Sequence, residues 1–195
     1  MATVVSRFTM SLDGYVAGPD DGVRDLLQWY FTGAVEIPVP GQNMVFKTSP
    51  ASTPTVREMF EHYGAMVTGR RDFDVSKAWG GRPPFDVPTF IVTHNVPQQW
   101  AETGSPFTFV TDGVEQAISQ ACQAAGDQQV NVGGTQIVRQ ALEAGLMDVI
   151  DIDLVPLLMG AGVRLFEQLS TPVTLEIERV IAAPLVTHIR YRVVK

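Results

Sequence analysis

The sequence has 195 residues and a formal net charge of −7, with 14 Lys and Arg against 21 Asp and Glu. Hydrophobic residues make up 45 % and charged residues 18 %, which is typical of a globular chain and argues against a disordered one. The basic residues are scattered, so nucleic-acid binding is disfavoured. A single cysteine, Cys122, excludes an internal disulfide and a cysteine zinc site. We expect one domain over residues 1–195 and no metal site.

The sequence shows no sign of a targeting or membrane segment. Residues 1–3 lead straight into a β-rich run, without a cationic stretch and an apolar core of the secretory type. No apolar run approaches the length that spans a bilayer. We expect a soluble, cytoplasmic protein that does not contact a membrane.

The first predicted strand covers Thr3–Met10 and runs into the segment Ser11–Gly18. Asp13 and Gly14 within it form a dipeptide that favours a plain hairpin turn between two short strands. The same residues suit a loop whose backbone approaches a ligand, with Ser11 and Asp13 supplying polar atoms. Local pattern favours the turn, and both interpretations stay open.

Residues 19–53 are the least regular part of the sequence, and we interpret them as an irregular insertion. Their main apolar feature is the run from Leu26 to Phe31, which includes Trp29 and Tyr30. So long an irregular stretch is often a lid or a binding loop. Its aromatic residues suit a core or a subunit contact equally well.

A helix is predicted to begin at Thr53 and Pro54, since these residues suit a helix cap and a first helical turn. The next strand, Ala65–Thr68, ends at Gly69 and is followed by Arg70 and Arg71. In an acidic chain this arginine pair suits a phosphate group, because the guanidinium fork matches phosphate geometry. A solvated surface pair is the alternative.

Two further strands are predicted at Thr89–Thr93 and Phe107–Val110. Asp112 and Glu115 then form a predicted capping box for a helix with one apolar face. Cys122 lies on that face, which predicts an inert, packed thiol.

A strand through Val130 and Val132 ends at Gly133-Gly134, with Thr135 in the position of a helix cap. A glycine pair between a strand and a helix N-terminus can cradle a phosphate, since free N–H groups and the helix dipole favour an anion. The alternative is a tight turn that needs positive φ. The pair is not the three-glycine dinucleotide fingerprint.

The C-terminal part is predicted to be β-rich. After Gly145, a natural helix stop, apolar and acidic residues alternate over Met147–Val155. Val173–Glu178 and Leu185–Val193 also alternate and predict a closing antiparallel hairpin. Strands that alternate with helices and end in a hairpin indicate a mixed sheet flanked by helices.

These segments resemble, in order, the dihydrofolate reductase superfamily and especially its RibD C-terminal-domain group. The matching pieces are Phe8–Gly14, Val67–Arg71, Val132–Gly134, Gly145–Asp148 and Pro156–Phe166. They span nearly the whole chain. The resemblance implies a three-layer α/β/α fold with a central, mostly parallel twisted sheet and a C-terminal antiparallel hairpin.

The resemblance also implies that NADPH lies across the strand ends. It places the cofactor's diphosphate against Gly133, Gly134 and Thr135. It places the 2′-phosphate beside Gly69, Arg70 and Arg71. The resemblance therefore favours the cradle over the plain turn.

The loop from Ser11 to Gly18 would border the nicotinamide and the substrate. Asp13 is our candidate for an orienting or proton-relaying catalytic group, together with Ser11. The implied activity is hydride transfer to a small heterocyclic or sugar-bearing substrate, similar to 5-amino-6-(5-phosphoribosylamino)uracil reductase of riboflavin biosynthesis. Apolar rows on the C-terminal strands, and the RibD-type resemblance, predict a homodimer.

Two departures from the family pattern keep alternatives open. Dihydrofolate reductases carry an acidic residue early in the helix that precedes the Gly69 strand. The helix predicted to begin at Thr53 has no equivalent of it, and Glu58 and Glu61 are expected to face solvent. The zinc-binding deaminase pattern is missing too, since it needs more than one cysteine. The alternatives are a non-catalytic nucleotide-binding or assembly protein on the same fold, a dihydrofolate reductase, and a flavin reductase that uses the aromatic run at Trp29–Phe31.

Overall fold

The computed structural model describes residues 2–101 and 104–195, and these residues form a mixed α/β fold. The strands are β1 (Thr3–Ser11), β2 (Tyr15–Ala17), β3 (Val35–Pro38), β4 (Val45–Thr48), β5 (Tyr63–Gly69), β6 (Thr89–Val92), β7 (Phe107–Val110), β8 (Gln129–Val132), β9 (Val149–Val155), β10 (Val163–Arg164), β11 (Leu175–Ala183) and β12 (Val186–Val193). The α-helices are α1 (Thr53–His62), α2 (Arg70–Val75), α3 (Val114–Ala125) and α4 (Thr135–Glu143).

The chain divides into two compact units, each with its own set of packed elements. The first unit contains the chain up to Ser6, together with Pro40–Gln42 and His62–Asp148. The second contains Arg7–Val39, Asn43–Glu61 and Val149–Lys195. The strand β1 contributes residues to both.

In the first unit, parallel strands follow the order β1-β8-β5-β6-β7. Their central residues are apolar and fully buried, as expected for parallel strands covered on both faces; Ala65, Val67, Ile91, Val130 and Val132 are 0 % exposed. The helix α3 buries one apolar face, which includes Ala117, Ile118 and Ala121. The mainly parallel sheet predicted from the sequence is confirmed.

In the second unit, β9, β12 and β11 are antiparallel neighbours. The strands β11 and β12 form the predicted C-terminal hairpin. The register of β12 on β9 sets His188 opposite Asp153 and Arg190 opposite Asp151. A row of polar residues therefore runs across these two strands. It forms part of the buried polar layer described with the candidate site.

The plain hairpin predicted at Asp13-Gly14 is wrong. The strand β2 pairs with β10, through Val163↔Ala17 and Arg164↔Tyr15, and not with β1. Since the partner strand lies far along the chain, the local pattern could not reveal it.

The segment 19–53 is also more regular than predicted. It contains a 3-10 turn at Leu26–Tyr30 and an antiparallel hairpin of β3 and β4. Trp29 and Tyr30 are buried and stacked, with ring centroids 3.7 Å apart, while Phe31 is exposed. The core interpretation of the aromatic run therefore holds for its first two rings.

In two helices the N-cap residue is a glycine next to the residue that was predicted to be the cap. Gly113, and not Asp112, caps α3, with φ 93° and no side-chain cap bond. Gly134 caps α4 with φ 78°, so Thr135 is the first helical residue. Only a residue without Cβ adopts these angles cheaply. The helix stop at Gly145, with φ 67°, is confirmed.

An unusual feature of the first unit is a left-handed stretch at Lys77–Gly81. Five consecutive residues have positive φ, and Lys77, Ala78 and Trp79 among them carry a Cβ. A left-handed conformation costs such residues roughly 1–2 kcal/mol each. Trp79 packs against Phe73, with ring centroids 6.1 Å apart, and Ala78 is buried in the same cluster. Packing of these two side chains offsets the strain.

Replacing Lys77 by glycine should therefore raise the free energy of unfolding, by about 0.5–1 kcal/mol. Glycine relieves the strain at an exposed position but adds conformational freedom to the unfolded chain. Urea unfolding measures the change. The matched control is Lys47→Gly in the extended strand β4, which should destabilise the protein. If both variants lose stability equally, the strain at Lys77 is absent.

Candidate functional site

The two glycine segments predicted to bind the cofactor are brought together in the first unit. The strands β5 and β8 are parallel neighbours, with Val67 paired to Val132. The carboxyl ends of both strands therefore meet at one sheet edge, and the N–H of Gly133 donates to the carbonyl of Val67 at 2.8 Å. A Cβ placed on Gly134 would lie 3.4 Å from the backbone nitrogen of Gly69.

This close approach explains why the β8–α4 turn is built from glycine. A Cβ on Gly133 would lie 3.3 Å from Met66 Cε and 3.3 Å from Thr68 Oγ1. Gly134 has φ 78°, which side-chain-bearing residues rarely adopt. The turn also leads directly into α4, whose first N–H groups and dipole favour an anion. Both interpretations of the pair, tight turn and cradle, thus fit one geometry.

Arg70 and Arg71 begin α2 immediately after Gly69. The Nε of Arg70 lies 2.8 Å from both carboxylate oxygens of Asp74, and its Nη1 donates to the carbonyl of Asn95 at 3.1 Å. Arg71 is exposed. The guanidinium of Arg70 is thus held at the edge that carries the glycine turns, by a carboxylate one helical turn further on.

A third polar residue at this edge, Asp72, was missed by the sequence analysis. Its Oδ2 accepts a hydrogen bond from Thr68 Oγ1 at 2.7 Å. Burial raises the pKa of Asp72, although hydrogen bonds from Thr68 and Ser76 act in the opposite direction. The available signal was an acidic residue three positions after a strand-ending glycine, but only the fold shows that it faces Gly133.

In the second unit, the structure brings Ser11 and Asp13 into direct contact. Ser11 is buried, donates to Asp13 Oδ1 at 2.7 Å, and accepts the N–H of Tyr15 at 2.9 Å. The Asp13 carboxylate also accepts the N–H groups of Met159 at 3.1 Å and Gly160 at 2.7 Å. We define these contacts as the Asp13 clamp. They tie the loop after β1 to the loop after β9.

The clamp fixes the protonation state of Asp13. The hydrogen bond from Ser11, followed by that from Gly160, lowers the pKa of Asp13 to about 2. The carboxylate is therefore ionised at neutral pH and holds no proton to donate. Of the two roles predicted for Asp13, orienting and proton-relaying, the geometry favours the first.

An arginine completes the surface beside the clamp. Arg164 Nη1 donates to the carbonyl of Asp13 at 3.2 Å, and Nη2 donates to the Tyr15 hydroxyl at 3.0 Å. The guanidinium lies 4.5 Å from the centre of the Tyr15 ring, within the range of a cation–π contact. Local sequence pattern does not point to Arg164, because its partners, Asp13 and Tyr15, lie about 150 positions earlier.

The second unit also contains a buried polar layer, defined by Arg7, Ser52, Asp151, Asp153 and His188. His188 lies between Asp153 Oδ1, 2.6 Å from Nδ1, and Ser52 Oγ, 2.9 Å from Nε2. Arg7 Nη2 lies 3.2 Å from Asp151 Oδ2. Residues facing the core between a sheet and a helix are usually apolar, so a layer of charges here is unusual.

Glu58 of α1 belongs to the edge of this layer, and the prediction that it faces solvent is wrong. Its side chain is 25 % exposed and pairs with Arg179 at 2.6 Å and Arg190 at 3.1 Å. Burial alone would raise the pKa of Glu58, but the hydrogen bond and charge of Arg179, with Arg190 and Arg7, lower it. Glu58 therefore remains ionised. Glu61 is exposed, as predicted.

Other site classes are not represented in the part of the chain that the structure describes. Within 2–101 and 104–195, no three His, Cys, Asp or Glu side chains group as metal ligands. No helix in these ranges is long and apolar enough to cross a membrane. Burial, with the charge of Asp148, raises the pKa of Cys122, so this half-buried thiol stays protonated and unreactive.

The sequence matches the RibD C-terminal domain family over residues 2–186. The chain belongs to this family. The match covers both glycine segments of the first unit and the Asp13 clamp of the second. No curated protein matches the sequence.

Solved structures share the fold at low sequence identity. A putative riboflavin biosynthesis protein from Shewanella sp. PV-4 has 23 % identity and a TM-score of 0.73, with 100 % of both chains covered. A deaminase/5-amino-6-(5-phosphoribosylamino)uracil reductase from Thermotoga maritima has 14 % identity and a TM-score of 0.66, over 99 % of this chain and 57 % of that one. The chain thus spans little more than half of the bifunctional protein.

The same fold extends to a dihydrofolate reductase from Enterococcus faecalis, complexed with NADP(H) and RAB-propyl. It has 14 % identity and a TM-score of 0.58, with 99 % of this chain and 97 % of that chain covered. The family match confirms the resemblance to the RibD C-terminal-domain group, and the mixed α/β fold, which a dihydrofolate reductase shares, is confirmed too.

The clamp leads to a prediction for Asp13→Asn. The variant should have a lower free energy of unfolding at neutral pH, because an amide offers one oxygen where the carboxylate offers two. Since the pKa of Asp13 is lowered to about 2, its stabilising effect is complete above the ordinary value of 3.8 and is lost as the pH falls through about 2. The stability deficit of the variant should shrink over that range.

Urea unfolding at pH 7 and at stepwise lower pH measures the deficit, and a carbon-13 NMR titration measures the pKa of Asp13 directly. The matched control is Asp25→Asn, an exposed acid whose carboxylate lies 3.4 Å from Gln28 Nε2. A titration midpoint near the ordinary value for aspartate would contradict the clamp.

Proposed function

We propose that this chain is an NADPH-dependent reductase that transfers a hydride to a small heterocyclic or sugar-bearing substrate. The substrate class resembles that of 5-amino-6-(5-phosphoribosylamino)uracil reductase. The observation that carries the proposal is the meeting of the Gly69 and Gly133-Gly134 turns at one sheet edge, in a chain of the RibD C-terminal domain family.

The residues of the first unit fit the diphosphate of a nicotinamide cofactor. The turn at Gly133 and Gly134 leads directly into α4, which begins at Thr135. Such a helix entrance favours an anion through its free N–H groups and its dipole. Gly69, Arg70 and Arg71 would hold the 2′-phosphate. The bound cofactor would supply the hydride.

The residues of the second unit would orient the substrate. Ser11 and Asp13 are fixed by the clamp, and a carboxylate held in place can accept a hydrogen bond from a substrate N–H or O–H. Asp13 and Glu58 are both held ionised, so neither supplies a proton near neutral pH. We propose that the proton for the reduced heteroatom comes from water.

A second candidate function is nucleotide binding without catalysis. It is favoured by one observation: the pKa of Glu58, the partly buried carboxylate of α1, is lowered, so this residue does not supply a proton to a substrate. Oxidation of NADPH in the presence of pyrimidine, pterin and quinone candidates, followed at 340 nm, separates the two functions. Tight NADPH binding with no oxidation by any substrate class would favour the second.

The arginine pair predicts a preference for NADPH over NADH. A charge-assisted contact to a 2′-phosphate contributes about 1.5–3 kcal/mol, and less where the side chain is exposed. Replacing both Arg70 and Arg71 by alanine should therefore narrow the preference about tenfold or more, measured as the ratio of the two dissociation constants by cofactor fluorescence.

The control variant is Arg82→Ala, which removes an exposed arginine of the same unit whose nearest acid, Asp86, is 3.9 Å away. It should leave the ratio unchanged. A ratio that stays the same in the double variant would remove the arginine pair from the 2′-phosphate site.

We also propose that the protein is a homodimer, with contact through the hairpin of β11 and β12. Ile177, Val180 and Leu185 of this hairpin are 66 %, 56 % and 49 % exposed, which is high for large apolar side chains. A two-fold axis would cover one such patch with its own copy. Because β11 also carries charged residues on both sides of Ile177, its edge is protected against open-ended pairing.

Sedimentation equilibrium should therefore give twice the chain mass of 21.3 kDa. The double variant Ile177→Lys/Val180→Lys should be a monomer, since buried unpaired charges would oppose the contact. Val96→Lys, an equally apolar exposed position of the first unit, is the control and should remain dimeric. A wild-type mass of one chain at every concentration would reject the dimer.

A further inference from the structure

A carboxylate lies beside the proposed phosphate cradle, where an anion would be expected to meet only donors. Asp72 is the third residue of α2. A Cβ placed on Gly133 would lie 3.7 Å from its Oδ2 and 3.3 Å from Thr68 Oγ1, which is the donor to that same oxygen. The partly buried Asp72 therefore directs its carboxylate toward the glycine turn.

The nearest groups do not neutralise this carboxylate. Its hydrogen-bond donors are the hydroxyls of Thr68 and Ser76, which carry no charge. Arg70, two residues earlier, directs its Nε to Asp74 instead. The turn at Gly133 and Gly134 offers no charged side chain. Among residues 2–101 and 104–195, the hydrogen-bond donors to the Asp72 carboxylate are therefore uncharged hydroxyls.

We propose that Asp72 controls the affinity of the cradle for a diphosphate, which the cradle binds together with one proton taken up by Asp72. The inference rests on the cofactor role proposed above and adds a residue that determines its strength. When Asp72 is ionised, its charge repels the phosphate groups. When it is protonated, the repulsion vanishes and the carboxyl O–H becomes a donor to a phosphate oxygen.

The expected pH dependence has a definite sign. Burial already raises the pKa of Asp72 in the free protein, and a neighbouring anion raises it further. The affinity for NADPH should therefore fall as the pH rises and Asp72 loses its proton.

The test compares NADPH dissociation constants of the wild-type chain and Asp72→Asn between pH 5 and pH 9. The 2′-phosphate of NADPH titrates with a pKa of about 6, but it does so identically with both proteins, so the ratio of the two constants isolates Asp72. Asparagine keeps the size of the side chain and an acceptor for Thr68. We expect the variant to bind about tenfold more tightly at pH 8, and the ratio to approach one at the acid end.

The charge-matched control is Asp112→Asn, an exposed acid of the same unit without a cap bond to α3. It should follow the wild type at every pH. Competition by inorganic pyrophosphate provides a second readout, and it should show the same ratio because it contains no nicotinamide or adenine.

The outcomes are distinguishable. A ratio that stays near one from pH 5 to pH 9, with both proteins binding NADPH, overturns the role of Asp72 and leaves the cofactor proposal intact. If neither protein binds NADPH or pyrophosphate, while circular dichroism shows both folded, the cradle itself is rejected and the role of Asp72 with it. Tighter binding by Asp112→Asn would show a general charge effect and would also overturn the proposal.

Discussion

The parallel pairing of β5 with β8 is the constraint on which the candidate cofactor site depends. Since Val67 lies opposite Val132, the two strands end side by side, and the turns that follow them share the same small volume. The close approach of Gly134 to the backbone of Gly69 follows from this pairing. The positive φ of Gly134 and its close approach to Gly69 favour glycine before any ligand binds, so the turn proposed to hold a phosphate is a consequence of how the sheet ends.

The second unit differs from the first because its core contains charged side chains. Three arginines pair with three carboxylates: Arg7, Arg179 and Arg190 with Glu58, Asp151 and Asp153. Removing one partner from a buried pair costs about 3–5 kcal/mol in other proteins, since the remaining charge is left without compensation. The layer joins α1, through Glu58, and Ser52 to the strands β9, β11 and β12.

The sequence predicted those features that arise from neighbouring residues. Apolar runs that end in glycine identified β5 and β8, and alternation identified the hairpin of β11 and β12. The Asp13 clamp joins residues 146 and 147 positions apart, and Ser52 meets His188 across 136 positions, so no local pattern contains either contact. Asp72 was missed for a related reason: its neighbour Gly133 belongs to another strand.

Under the proposed reductase function, the protonation states of Asp13 and Glu58 bear on the choice of substrate. Hydride transfer requires a carbon that accepts the hydride and a heteroatom that takes a proton. Asp13 is ionised because the clamp gives it three donors, and Glu58 because arginines surround it. A pterin nitrogen, which is weakly basic, would require an acid that neither residue provides. Under the proposed reductase function, the substrate would be one whose reduced heteroatom is basic enough to take its proton from water, and a pterin would meet this condition less well.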